Sequence, residues 1–86
     1  MKQVNLQLFG AFSELDASRE IVVEVPGDRV ADLRQVLREL LPQRWPQFRA
    51  GLLDYSVFAD QQCVLRDHEH LPEDGRVAIL PPVSGG

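Results

Sequence analysis

The segment VADLRQVLRELL, residues 30–41, decides the fold. Its apolar residues Val30, Leu33, Val36, Leu37, Leu40 and Leu41 make one stripe on a helix of about 3.6 residues per turn. Asp28 is the available N-cap, and Asp32 sits near the positive end of the helix dipole. Pro42 is expected to stop the helix, so the spacing predicts it over about 29–41. It is the one long helical stripe in the chain. One helix of this length must cover one face of one sheet, and the other face is left to solvent or to a partner.

Upstream the period changes to two. Val4, Leu6 and Leu8 alternate with Gln3, Asn5 and Gln7, and Ile21, Val23 and Val25 with Glu20, Val22 and Glu24. Each run reads as a half-buried strand. Gly10 breaks the first, Ala11–Leu15 has room for a helical turn, and Pro26-Gly27 ends the second. Downstream, Trp45, Phe48 and Leu52 fit a short second helix limited by Pro46, or an ordered connector whose aromatics cap the core. Tyr55–Ala59 reads as a third strand, Asp60-Gln61-Gln62 as a turn, and Cys63–Leu65 as a short fourth strand. Leu71–Gly75 is a turn before the last strand, Arg76–Leu80, with Val77 and Ile79 on one face. The reading is an α+β domain over residues 1–80, followed by a tail over residues 81–86.

Composition narrows the function. With 9 basic against 13 acidic residues the net charge is −4, which disfavours nucleic acid as a partner. No apolar run approaches the ~18 residues of a membrane span, and the start MKQVNLQLFG lacks the pattern of a signal peptide. The expected location is the cytoplasm. The single cysteine, Cys63, makes no internal disulfide and no multi-cysteine metal site; it is expected to be a buried or half-buried structural residue. His68 and His70 read as solvated loop residues rather than zinc ligands, so no metal site is expected. Neither phosphate-cradling glycine motif occurs, and the hydroxyls are too scattered for a catalytic triad. The chain is therefore not expected to be an enzyme by itself.

The C-terminal segment is the distinctive feature. After Leu80 come Pro81, Pro82, Val83, Ser84, Gly85 and Gly86. Two prolines stiffen the segment and remove two donors, so it will not add to the sheet. The last two residues have no side chains, which lets a terminal carboxylate pass through a narrow channel. Pro81 through Gly85 thus provide access for Gly86. Parity also predicts a docking surface. If Val77 and Ile79 face the helix, then Phe9, Phe58, Val64, Ala78 and Leu80 form an exposed apolar patch beside the tail, unless Phe9 and Phe58 fold back into a secondary core.

The ending VAILPPVSGG, preceded by LPEDG, together with LFGAFSEL and VADLRQVL, resembles the MoaD type of the MoaD/ThiS ubiquitin-like sulfur-carrier family. The resemblance runs from Lys2 to Gly86 and is most specific over residues 71–86. It departs from the family at Ser13, usually basic, at Asp60, often Asn, and at Arg76, usually acidic. It implies a β-grasp fold, with first and last strands parallel at the sheet centre and a flexible Gly-Gly tail. It implies the function of the small subunit of molybdopterin synthase. An E1-like enzyme using ATP and Mg²⁺ would adenylate Gly86, and a desulfurase or rhodanese-type donor would supply sulfur. The resulting thiocarboxylate would serve the large catalytic subunit in building the molybdopterin dithiolene. The resemblance implies no stably bound cofactor on the carrier. The alternatives are a related carrier for thiamine or tRNA thiolation, or a ubiquitin-like protein modifier.

Overall fold

The computed structural model describes residues 1–46 and 48–82. Strand β1 (Lys2–Leu8) buries Val4, Leu6 and Leu8, and β2 (Glu20–Val25) buries Ile21, Val23 and Val25. They pair antiparallel, from Lys2 opposite Val25 to Gln7 opposite Glu20. The connection contains a 3-10 helix, Gly10–Glu14, whose Phe12 is fully buried.

Helix α1 (Val30–Arg44) buries Val30, Leu33, Leu37 and Leu41, the stripe expected from its period. Both of its ends differ from expectation. Asp28 is not the cap. The Arg29 N–H donates to the Asp32 carboxylate at 3.1 Å, and the Val30 and Ala31 N–H groups donate to the carbonyls of Glu69 and Asp67, each at 2.9 Å. A distant loop therefore satisfies donors that a helix start otherwise leaves open. Asp28 instead faces His70, with its Oδ2 3.2 Å from the ring Nδ1. At the other end Pro42 does not stop the helix. It lies exposed in the last turn, where its missing N–H forfeits a single helical bond. Burial of Leu41 and Trp45 holds that turn, and the Trp45 N–H closes it on the Leu41 carbonyl at 2.8 Å.

A second short helix, α2 (Ala50–Asp54), leads into β3 (Val57–Ala59), then β4 (Val64–Leu65) and β5 (Arg76–Leu80). β3 is shorter than expected, because the Ser56 N–H turns back to the Leu53 carbonyl at 3.1 Å. The sheet order is β2-β1-β5-β3-β4. β1 and β5 run parallel, Asn5 opposite Arg76 through Leu8 opposite Ile79, and β5 pairs antiparallel with β3. This mixed sheet with α1 on one face is the β-grasp arrangement. Trp45 caps the core as expected, edge-on to Phe12 at 6.3 Å between ring centroids and 5.9 Å from Phe48.

Two further residues hold the frame. Gly75 is buried at φ +72°, and a Cβ there would sit 2.5 Å from the Gln3 carbonyl oxygen, so only glycine lets the turn close onto β1. Arg34 reaches from α1 across the molecule. Its guanidinium donates to the Leu53 carbonyl at 2.5 Å, to the Ser56 hydroxyl at 3.0 Å and carbonyl at 3.1 Å, and to Asp67 at 3.0 Å. It also lies 4.8 Å from the centroid of the Phe58 ring.

Candidate docking face and tail root

The face of the sheet opposite α1 is built by strand parity. On β5, Val77 and Ile79 point to the core, so Ala78 is half-buried on the other side and Leu80 is 37% exposed. Register then recruits neighbours. Val57 lies opposite Leu80, and Ala59 lies opposite both Ala78 and Val64. Val57 and Val64 are exposed, as is Phe9 just beyond the end of β1. Phe9 is tied to β5 by its N–H, which donates to the Ile79 carbonyl at 3.2 Å. The result is an apolar strip of Phe9, Leu80, Val57, Ala78, Ala59 and Val64, with Glu20 and Glu24 exposed on the edge strand β2.

Four of the five residues expected in this patch, Phe9, Val64, Ala78 and Leu80, lie on it. Phe58 does not. It is fully buried, opposite Ile79 and Leu65 in register and beneath Arg34. The physical reason is alternation against β5: Phe58 must share a side with its partner Ile79. Val57 takes the place expected for Phe58, and Ala59 joins it. Alternation within three residues cannot say which side is inward; the pairing with β5 is the signal that decides it.

The tail root adjoins this strip. Gly10 adopts φ +57°, and Pro81 packs into the space its absent side chain leaves. Pro81 is half-buried and Pro82 exposed. Val83, Ser84, Gly85 and Gly86, the expected access and acceptor residues, lie outside the described residues.

The remaining candidates sit elsewhere and lack activation. Asp60 Oδ1 accepts the N–H groups of Gln62 and Cys63, each at 2.8 Å, which holds its carboxyl below the ordinary range. The Asp60 charge in turn raises the Cys63 thiol. Cys63 is exposed, not buried or half-buried as expected, because this turn carries it outside the two-residue strand that follows. A raised thiol is a poor nucleophile at neutral pH. His68 and His70 are exposed in the loop that caps α1. Among the described residues no group of three or more His, Cys, Asp or Glu side chains is placed to hold a metal, and no helix is long and apolar enough to cross a membrane. The apolar strip and the tail root are thus the candidate features that the described residues bring together.

Residues 6–86 match the sequence model of the ThiS family. No curated protein sequence matches. Among solved structures, SAMP1 from Haloferax volcanii superposes with a TM-score of 0.68 at 27% identity, with 99% of this chain and 100% of that chain covered.

Proposed function

The chain belongs to the ThiS family of ubiquitin-like sulfur carriers, whose members act with partner enzymes, and from that membership we propose that it is the sulfur-carrier small subunit of a molybdopterin synthase. The observation that supports this reading best is the junction at Leu80. The central strand ends beside the exposed apolar strip, and Pro81 starts the tail from that same corner. A partner covering the strip would receive the tail directly. The ending PPVSGG favours the molybdopterin type over its relatives.

In this reading the Gly86 carboxylate is the acceptor. A carboxylate is a poor electrophile, so an E1-like enzyme first joins it to AMP, with ATP and Mg²⁺ consumed on that enzyme and pyrophosphate released. A persulfide sulfur from a desulfurase or rhodanese-type donor displaces AMP, and a second thiol then attacks the donor sulfur of the resulting acyl disulfide, forming a new disulfide and releasing the thiocarboxylate. The loaded tail enters the large synthase subunit and gives its sulfur to the pterin precursor. Two dithiolene sulfurs require two loaded carriers. Pro81 to Gly85 supply reach and a narrow profile, and Phe9, Val57, Val64, Ala78 and Leu80 supply the docking face. The carrier holds no cofactor of its own and works in the cytoplasm.

The ThiS family match also supports a second reading, a carrier for thiamine or tRNA thiolation or a ubiquitin-like modifier. Intact mass after incubation with the adenylating enzyme, ATP and a sulfur source tests the shared step. The expected result is exchange of one oxygen for one sulfur, lost when Gly85-Gly86 is deleted. Adding the large synthase subunit and pterin precursor then tests the finer assignment. Molybdopterin formation by the truncated chain would overturn the sulfur-carrier reading. Stable conjugates of higher mass, with no molybdopterin formed by the intact chain, would replace it with the modifier reading.

A further inference from the structure

We propose that Gly10 is a positioning residue for the C-terminal tail, providing the notch in which Pro81 is seated and so setting the line along which the chain leaves the sheet. The proposal rests on the reading that the tail is the working part of the molecule. A Cβ on Gly10 would lie 2.6 Å from Pro81 Cγ and 3.0 Å from Cδ, closer than packed carbon atoms approach. The backbone at φ +57° independently favours glycine. The walls of the notch are anchored. The Phe9 N–H is bonded to the Ile79 carbonyl at 3.2 Å, the Ser13 hydroxyl donates to the Gly10 carbonyl at 2.7 Å, and Phe12, two residues on, is fully buried. On the other side Pro81 has a fixed φ and no N–H to prolong the ladder. Direction at the root is therefore set by one ring in one notch.

Pro82 follows Pro81 directly, and its ring restricts the next link as well, so a tilt at the root changes the direction in which the remaining residues set out. Misplacement of reacting atoms by about 1 Å can cost on the order of 100-fold in rate.

The test separates notch from backbone. Gly10→Asn tolerates the left-handed conformation but adds the Cβ. With the cognate adenylating enzyme, ATP, Mg²⁺ and sulfide, the expected result is unchanged affinity by calorimetry with kcat for thiocarboxylate formation lowered at least about tenfold. Pro81→Ala removes Cγ and Cδ, and should lower kcat about threefold alone by loosening the root. Combined with Gly10→Asn it should recover most of the lost rate, because the clash is gone. An undiminished kcat in folded Gly10→Asn, or a double variant no better than that single one, would overturn the proposal. If Gly10→Asn does not fold, an unchanged kcat in Pro81→Ala overturns it as well. Should the wild-type chain gain no sulfur, the carrier reading fails but the notch remains testable by NMR. A cross-peak between the Gly10 Hα and Pro81 Hγ protons is expected, and its absence would refute the seating.

Discussion

Exchanging the roles expected of Phe58 and Val57 gives the sharpest test of the two faces. Phe58 is fully buried and its ring lies against the Arg34 guanidinium. Truncation by Phe58→Ala should cost about 3–5 kcal/mol through lost burial and the cavity left behind. A domain of 86 residues holds on the order of 4–13 kcal/mol in total. The loss is therefore roughly a quarter of the whole at the least, and the melting temperature should fall by roughly 12–40 °C. Val57 is 37% exposed and faces away from α1. Val57→Asp keeps its charge hydrated in the free protein, so about 1 kcal/mol or less is expected from strand preference alone. If the strip docks the adenylating enzyme, as proposed, that carboxylate is desolvated in the complex, and a loss of ~2 kcal/mol, roughly 30-fold in Kd, should appear by calorimetry. Leu80→Asp, opposite Val57 on β5, should behave alike. If Val57→Asp melted tens of degrees low while Phe58→Ala melted near wild type, the assignment of faces would be inverted. Unchanged affinity in both Asp variants would show that the strip is not the docking surface.

Arg34→Met should destabilise by about 2–4 kcal/mol in a urea melt, since it strips charged donors from the Ser56 carbonyl and hydroxyl. Little of that comes from the ion pair with Asp67, whose side chain is 53% exposed; a loss under ~1 kcal/mol would refute the role of this arginine. Asp60→Asn keeps an oxygen for the Gln62 and Cys63 N–H groups but removes the charge that raises the Cys63 thiol. Alkylation of Cys63 by iodoacetamide at mildly alkaline pH should therefore quicken, and an unchanged rate would remove Asp60 as the cause. The same substitution has a linked effect on stability. The folded Asp60 carboxyl is held below its ordinary range. Its contribution is present above that range and lost as pH falls through the lowered value, so the Asn variant should show a shallower acid loss.

Wherever a segment packs one face and wets the other, the sequence is legible. Glu20–Val25 and Arg76–Leu80 form strands with the expected bounds, and the Val30/Leu33/Leu37 stripe lies on the core, because period and burial report the same boundary there. The cap of α1 escaped because carbonyls of Asp67 and Glu69 do the work, and a backbone carbonyl has no residue signature. Arg34 falls off the apolar stripe of the helix, yet its side chain is only 13% exposed, since its length lets the guanidinium reach Leu53 and Ser56. Pro42 does not stop the helix, because tertiary burial of Trp45 outweighs one lost bond. On the apolar strip, Ala78 and Leu80 follow from β5 alone. Val57 needs the register of β3 against β5, a long-range fact that no local window contains.

The parallel pairing of β1 and β5 has a mechanical consequence. Lys2 begins β1 at one pole of the sheet, and Leu80 ends β5 toward the other, so a pull between them runs along both strands in opposite senses. The bonds joining Asn5–Leu8 to Arg76–Ile79 are then loaded together, in shear, rather than opened singly like a zipper. β3 braces the far side of β5, with Val57 to Ala59 paired to Leu80 to Ala78. Traction applied at the C-terminal end of β5 is thus spread over the middle of the sheet, and the last strand resists being peeled from its neighbours.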